Sequence, residues 1–371
     1  MRVVVVGAGV LGASAAYHLA LAGVRTIVVD RAHEGRATAA GAGIICPWSS
    51  RVEDPDWYRL SAAGARHYPE LAARLRQDGE SAFGYRRVGA LATAAHAADL
   101  DEIEQRVRRL REAAPEVGEV TRLSPAAARA LFPPLRDDLA AVHIAGAARV
   151  DGRLLAAAML RGAQKHGAEL HHATAELVGS PGRITGVRAD GRAVEADAVI
   201  VAGGAWAPAL LASIGVRLAV EPQRGQITHI RLPGTDTAAW PVVLPPSSHY
   251  LLAFDDQRVV VGATRETGSG FDYRVTAAGQ AEVLAEALAV APGLGGGSII
   301  ETRIGFRPVG PDIRPLLGAV PGFDGLLVGN GLGAGGLTMG PYAGRLLAQM
   351  ARGERPEIDP APYDPWRRGG A

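Results

Sequence analysis

Three glycines, in the run Gly7-Ala8-Gly9-Val10-Leu11-Gly12, carry no functional group, yet their spacing suits a backbone built to approach a phosphate. The first permits a tight turn, the second lets the chain come close to a pyrophosphate, and the third lets a following helix pack closely on a sheet. Asp30, 18 residues past Gly12, is placed to accept hydrogen bonds from an adenosine ribose and to disfavour a 2′-phosphate. Together they point to an adenine dinucleotide; the competing reading is that the glycines only tighten a turn. Other chemistries are limited by what the chain lacks. Lys165 is its only lysine and Cys46 its only cysteine, so no intrachain disulfide, cysteine zinc cluster or Cys-ligated iron–sulfur centre can form.

These residues need elements to hold them. Val3 to Val6 is a β-branched run, Ala13 to Ala22 reads as a helix, and Thr26 to Val29 as a second strand, which makes a buried βαβ unit. The uncharged stretch from Val3 to Val24 resembles a signal sequence or a span, but its glycines and its break into strand, turn and helix argue against both. Of 371 residues, 48% are hydrophobic and 21% charged, which fits an ordinary globular chain. Lys+Arg 39 against Asp+Glu 38 leaves a formal charge of +1, so neither nucleic acid nor an anionic bilayer is an expected partner. The lone cysteine fits a reducing compartment, and a cytoplasmic location is expected.

The fingerprint alone does not choose between FAD and NAD. Further along, Asp197 to Ala202 reads as a strand running into Gly203-Gly204-Ala205-Trp206. Leu326 to Val328 is another, entering a glycine-rich turn from Gly329 to Thr338 before a helical stretch, Gly340 to Met350. A second glycine-rich helix start has a task in a flavoprotein, because free amides there stabilise the charge that reduced flavin carries at N1 and the C2 carbonyl.

At this point the sequence resembles the FAD-dependent D-amino-acid oxidase and glycine oxidase group, which includes sarcosine oxidases and D-amino-acid dehydrogenases. Beside the fingerprint, Thr38-Ala39-Ala40-Gly41-Ala42-Gly43-Ile44 looks like the family's small-residue loop against the flavin. Val150-Asp151-Gly152 introduces a helix as in its relatives, and Gln223-Arg224-Gly225-Gln226 resembles the turn that begins a substrate-domain strand. Ile304 to Asp312 is similar to the GxRPxxPD segment, and Gly335-Gly336-Leu337-Thr338 to the late flavin loop. The resemblance implies an α/β fold with a Rossmann-like FAD-binding domain, of glutathione-reductase type, interleaved with an antiparallel-sheet α+β substrate domain. Residues 1–85, 140–218 and 300–371 are assigned to the first, and 86–139 and 219–299 to the second. The charged stretch Arg106 to Arg111 reads as a solvated helix face, and the tail after Arg352 as loose surface chain.

For the cofactor, noncovalent FAD, the implied contacts are Gly7, Gly9, Val10, Leu11, Gly12, Asp30 and Arg31, then Thr38, Ala39, Ala40, Gly43 and Ile44. Ala175, Ala202, Gly203, Trp206 and Arg307 follow, with Gly333, Ala334, Gly335, Gly336, Leu337 and Thr338 in the late loop. Some relatives attach FAD through a late cysteine near the segment matching Arg307, where this chain has none, so Cys46 is read as apolar packing at the pocket.

Oxidising an amine beside a carboxylate needs a hydride acceptor and a clamp that fixes the α-carbon. By resemblance Arg307 is the clamp, answering a carboxylate with paired charge-assisted hydrogen bonds; the competing reading is a surface arginine or an ion pair with Asp312. Tyr250 matches a tyrosine that joins it, against a reading as core aromatic. His249 alternates to the other strand face, so only one of the two is expected inward. Ile44, Ile45, Cys46 and Trp48 border the substrate by resemblance, as does Ala334, where glycine oxidase has an arginine; the change suggests a roomier pocket. Sarcosine oxidases use lysines near the flavin, and Lys165 is not placed to serve.

The implied activity is oxidation of glycine, an N-substituted glycine or a small D-amino acid, with hydride passing to flavin N5. The imine hydrolyses to a 2-oxo acid plus amine, and molecular oxygen becomes hydrogen peroxide. The rivals are a dehydrogenase delivering electrons to a quinone, a flavin-binding protein without amine oxidation, and an NAD-dependent dehydrogenase. A homo-oligomer is compatible with the sequence.

Overall fold

Consecutive valines in a strand point to opposite faces, so a run of four needs cover on both sides. A computed structural model, describing residues 1–367, provides it. Val3 and Val5 enter one apolar core, Val4 and Val6 another, each side chain gaining about 1.5–3 kcal/mol on burial. Their strand, Arg2–Val6, lies inside a six-stranded sheet, between Ala198–Val201 and Arg25–Val29. Glu169–His171 and Leu326–Asn330 extend the parallel part, and Leu316–Ala319 closes one edge antiparallel. One face is covered by the helices Val10–Leu21, Gly152–Lys165 and Gly336–Ala351. The other lies under a three-stranded sheet that contributes Ile184 and Val187, and under the short helix Ala207–Ala212.

Small residues set how closely these helices meet. A Cβ at Gly344 would come within 2.6 Å of the Leu11 carbonyl oxygen, so the late helix and the fingerprint helix pack nearly backbone to backbone. The starts of both therefore reach the same opening. Asp151 caps the helix Gly152–Lys165, its carboxylate accepting from Arg153 N at 3.0 Å and Leu154 N at 3.2 Å.

The second large sheet has nine strands and is mostly antiparallel. Its spine is Glu221–Arg231, paired along one edge with Ser298–Val309 and along the other with Arg258–Gly262 and Glu266–Thr267. Tyr250–Ala253 and Val242–Leu244 continue the sheet, followed by Ala90–Ala94, Ala140–Ile144 and Val120–Leu123. The strand Ala140–Ile144 and most of Ser298–Val309 thus lie in this sheet, although their sequence positions were grouped with the nucleotide-binding stretches.

The tail departs from expectation. Tyr363 is fully buried and donates to the Asp56 carbonyl at 2.7 Å, and Arg367 donates to the Pro315 carbonyl at 3.0 Å, so the chain past Arg352 is packed down rather than loose. The last part of that tail, residues 368–371, lies outside the described residues. On the charged helix Ala97–Ala113 the buried side chains are Leu100, Ile103 and Val107, which leaves its arginines largely on the outer face. Among the described residues no helix is long and apolar enough to cross a membrane.

Candidate active site

A single cavity of about 1160 Å³ runs from the fingerprint turn to the second sheet, larger than the roughly 300–1,000 Å³ of an ordinary small-molecule site. At its nucleotide end Gly7 has φ 105°, and a Cβ there would lie 2.5 Å from the Ala202 carbonyl oxygen. A Cβ on Gly12 would come within 1.9 Å of the Gly7 carbonyl oxygen. Only glycine fits at these two positions, and the tightness brings first-turn amides of the helix Val10–Leu21 to the cavity wall. Asp30 braces the turn, one oxygen accepting from Ala8 N at 2.6 Å and the other from Ala32 N at 2.6 Å. The Thr38 hydroxyl accepts from Val10 N at 2.9 Å, which ties the small-residue loop to the helix start.

Across the cavity the late loop is held from several sides. Asn330 donates to the Gly204 carbonyl at 2.9 Å, Thr338 donates to the Ile44 carbonyl at 3.1 Å, and the Tyr68 hydroxyl bonds the Leu337 carbonyl. Two helix N-termini, on a rim rich in glycine and alanine, thus face one long space. That donor set suits a dinucleotide carrying a pyrophosphate at one end and a ring with developing negative charge at the other.

At the far end Arg307 lies on Ser298–Val309 with its guanidinium stretched across the neighbouring spine strand. Gly225 makes the crossing possible, because a Cβ there would meet the guanidinium at 2.6 Å. The head group donates to the Thr264 carbonyl at 3.0 Å and lies 3.5 Å from the Gln223 side-chain oxygen. The ion pair with Asp312 does not form: Asp312 bonds Arg367 instead. Tyr250 lies close to the Arg307 charge, and burial pushes its phenol above the usual range, so the hydroxyl keeps its proton. Burial also lowers the Arg307 pKa, the cost of holding a guanidinium there without an acid.

Most of the cofactor positions read from the sequence line the cavity: Gly7, Gly9, Val10, Leu11, Asp30, Arg31, Thr38, Ala40, Gly43 and Ile44, with Ala175, Ala202, Gly203, Trp206 and Gly333 to Thr338. Gly12 and Ala39 do not; the first is a packing position, and the Ala39 carbonyl accepts from Arg153 at 3.0 Å. On the substrate side Ile44, Cys46, Tyr250, Ala334 and Arg307 line it. Three other expected pocket residues are turned away. Ile45 and Trp48 are in the core at 2% exposure, and His249 sits on the opposite face, 3.3 Å from Glu282 on the helix Ala277–Val290. The Cys46 thiol, pushed up to about 11 by burial, stays protonated and is a poor nucleophile.

Sequence reading missed Gln223, Ile227, Leu244, Trp57 and Arg265, which also line the cavity. For Gln223 and Ile227 a signal existed: in a strand the residues flanking Gly225 by two share its face. Arg224 and Gln226 point the other way, where both bond Glu266.

Comparison with known proteins agrees with this geometry. A family model described as FAD dependent oxidoreductase (DAO) matches residues 2–350. Glycine oxidase of Pseudomonas aeruginosa is 33% identical over 370 residues, 98% of each chain. The Bacillus subtilis oxidoreductase YurR is 50% identical over 98% of each chain. The crystal structure of iminodiacetate oxidase from Chelativorans sp. BNC1 superposes with a TM-score of 0.96 at 56% identity, covering 98% of this chain and 99% of that one. With the glycine cradle, the paired helix starts and these matches in place, the chain belongs to the DAO family of FAD-dependent oxidoreductases and is an enzyme acting on carbon–nitrogen donors.

Proposed function

We propose that the enzyme oxidises an N-substituted glycine, with FAD held noncovalently and molecular oxygen as the electron acceptor. One observation carries the reading: a half-buried guanidinium, Arg307, with no acid partner, faces the same cavity as the dinucleotide cradle. When bound, FAD supplies a two-electron acceptor for a hydride from the carbon beside the amine.

The protein's own part is to hold and exclude. Arg307, anchored by the Thr264 carbonyl, donates to the substrate carboxylate, and the protonated Tyr250 hydroxyl adds a further donor. Each charge-assisted bond is worth about 1.5–3 kcal/mol. Ile44, Ile227 and Leu244 supply an apolar wall that keeps water from the carbon–hydrogen bond. The nearby carboxylate of Glu266 is engaged by Arg224, so it is not poised to take the amine proton, which leaves to solvent before oxidation. Ala334, small and on the cavity rim, leaves room for a nitrogen substituent. The products are an imine, which water splits to a 2-oxo acid and an amine, and hydrogen peroxide. That two similar proteins bear the names glycine oxidase and iminodiacetate oxidase supports the choice of substrate class.

Anaerobic mixing of the yellow holoenzyme with N-substituted glycines, glycine and small D-amino acids tests it. The expected result is loss of flavin absorbance with an N-substituted glycine, and peroxide on admitting air. A flavin that no amine bleaches contradicts the assignment; bleaching without peroxide contradicts oxygen as acceptor.

A further inference from the structure

Arg307 is not the only guanidinium at the substrate end. Arg265 lines the same cavity from an exposed position, and its guanidinium donates to a backbone oxygen, the Ser248 carbonyl, at 3.2 Å. Its position follows from a slip in the sheet. Arg258–Gly262 and Glu266–Thr267 pair with the same edge of the spine strand, but the register shifts by one residue between them, from Ile227 opposite Gly262 to Arg224 opposite Glu266. An extra residue in one strand re-aims the side chains around it, a device found beside active sites.

The consequence here is chemical. Without the slip Arg265 would stand opposite Arg224 and share its face, like charge against like. With it Glu266 takes that place and bonds Arg224 at 2.5 Å, while Arg265 turns to the cavity face that holds Gln223, Gly225 and Arg307. The Arg307 head group is bonded to the carbonyl of Thr264, the residue immediately before Arg265, so it lies against the Arg265 backbone, and the Arg265 charge is near enough to help lower the Arg307 pKa. Among the described residues the hydrogen bonds of both go to backbone and amide oxygens, not to carboxylates. Two adjacent cations at one end of a ligand cavity repel each other and are drawn together by a ligand bearing two anionic groups.

We propose that Arg265 is a specificity-determining residue that binds a second carboxylate, so that the preferred substrate is a secondary amine carrying an acid on both arms. In such a molecule only CH2–NH–CH2 separates the two carboxylates, which suits adjacent guanidiniums: Arg307 holds the acid of the arm to be oxidised and Arg265 the other. The inference rests on the reading of Arg307 as a carboxylate clamp.

The test uses holoenzyme and ligands without an oxidisable amine. Diglycolate keeps both carboxylates with oxygen in place of the NH, and methoxyacetate keeps one. Each is titrated against the flavin absorption band. The wild type is expected to bind diglycolate more tightly, and Arg265→Gln is expected to reduce that preference roughly tenfold to a hundredfold, as for loss of a charge-assisted pair. Arg265→Lys should restore part of it. An unchanged preference in Arg265→Gln overturns the proposal. If that variant loses its flavin, the wild type alone decides, since equal affinity for the two ligands overturns it too. The amine-oxidase reading fails separately: it falls if no amine bleaches the flavin, a result independent of these titrations. Should N-methylglycine bleach the flavin as efficiently as iminodiacetate, the oxidase reading stands and the role of Arg265 does not.

Discussion

The two ends of the cavity are built from different materials. At the nucleotide end the contacts come from backbone: Gly7 and Gly12 close a turn that any Cβ would block, and two helix starts present amides. At the substrate end they come from side chains on a separate sheet, Arg307, Tyr250 and Arg265, brought together by cross-strand register. A backbone site tolerates little change and serves one ligand shape, whereas a side-chain site can be altered one residue at a time. Within this family the first end is expected to be a fixture and the second the part that sets the substrate.

Substitutions can break that division. The largest effect is expected at Gly12→Val, whose Cβ would come within 1.9 Å of the Gly7 carbonyl oxygen. The purified protein should be colourless, and a variant that keeps a full flavin spectrum would show that the turn is not what holds the cofactor.

Acid should separate the ends next. His18 on the fingerprint helix and His67 on Pro55–Gln77 pack ring to ring with centroids 5.4 Å apart, and burial pushes them down to about 3 and about 4. Both are neutral when folded but take up protons near pH 6.5 when unfolded, so their contribution is whole above that pH. It is lost as pH falls from about 6.5 toward 4, at up to roughly 1.4 kcal/mol per pH unit for each imidazole. The melting temperature should drop between about pH 7 and pH 5, and less steeply in His67→Leu. A flat profile would remove these imidazoles from the account. At the substrate end Tyr250 stays protonated and Arg307 charged over this range, while His229, buried on the spine strand and pushed down to about 3, adds a loss of the same sign.

Smaller effects belong to the substrate end. Gly225→Ala places a methyl where the guanidinium crosses and should raise KM through a loss of about 1–2 kcal/mol in carboxylate binding, with the flavin spectrum unchanged. Tyr250→Phe removes one hydrogen bond, about 1 kcal/mol, or roughly fivefold in KM. If Tyr250→Phe exceeds Gly225→Ala, the tyrosine is the stronger half of the clamp.

The same division decides what could be read from the sequence. Local spacing exposes the backbone end: glycines at fixed intervals, a β-branched run and an acid after the next strand are legible because steric rules act over a few residues. The helix that starts after Val150-Asp151 was read by resemblance, and the structure adds that Asp151 caps it. The substrate end depends on pairing between strands far apart in the chain. Arg265 escaped notice because a one-residue slip against the spine strand, invisible in a single sequence, decides which face it takes. Ile45 and Trp48 were expected at the pocket by resemblance, which covers the segment and not each side chain; pleating and a short 3-10 turn bury them instead. The tail misled for a similar reason: its Pro and Gly content hides Tyr363, whose burial depends on the distant Asp56.

The central claim, that Arg307 grips the substrate's acid group, is met most directly by the anaerobic reductive half-reaction of Arg307→Ala. With FAD content and spectrum retained, the amine concentration giving half-maximal flavin bleaching should rise about a hundredfold or more, as for two lost charge-assisted bonds. A half-saturation equal to that of the unaltered enzyme would contradict the account.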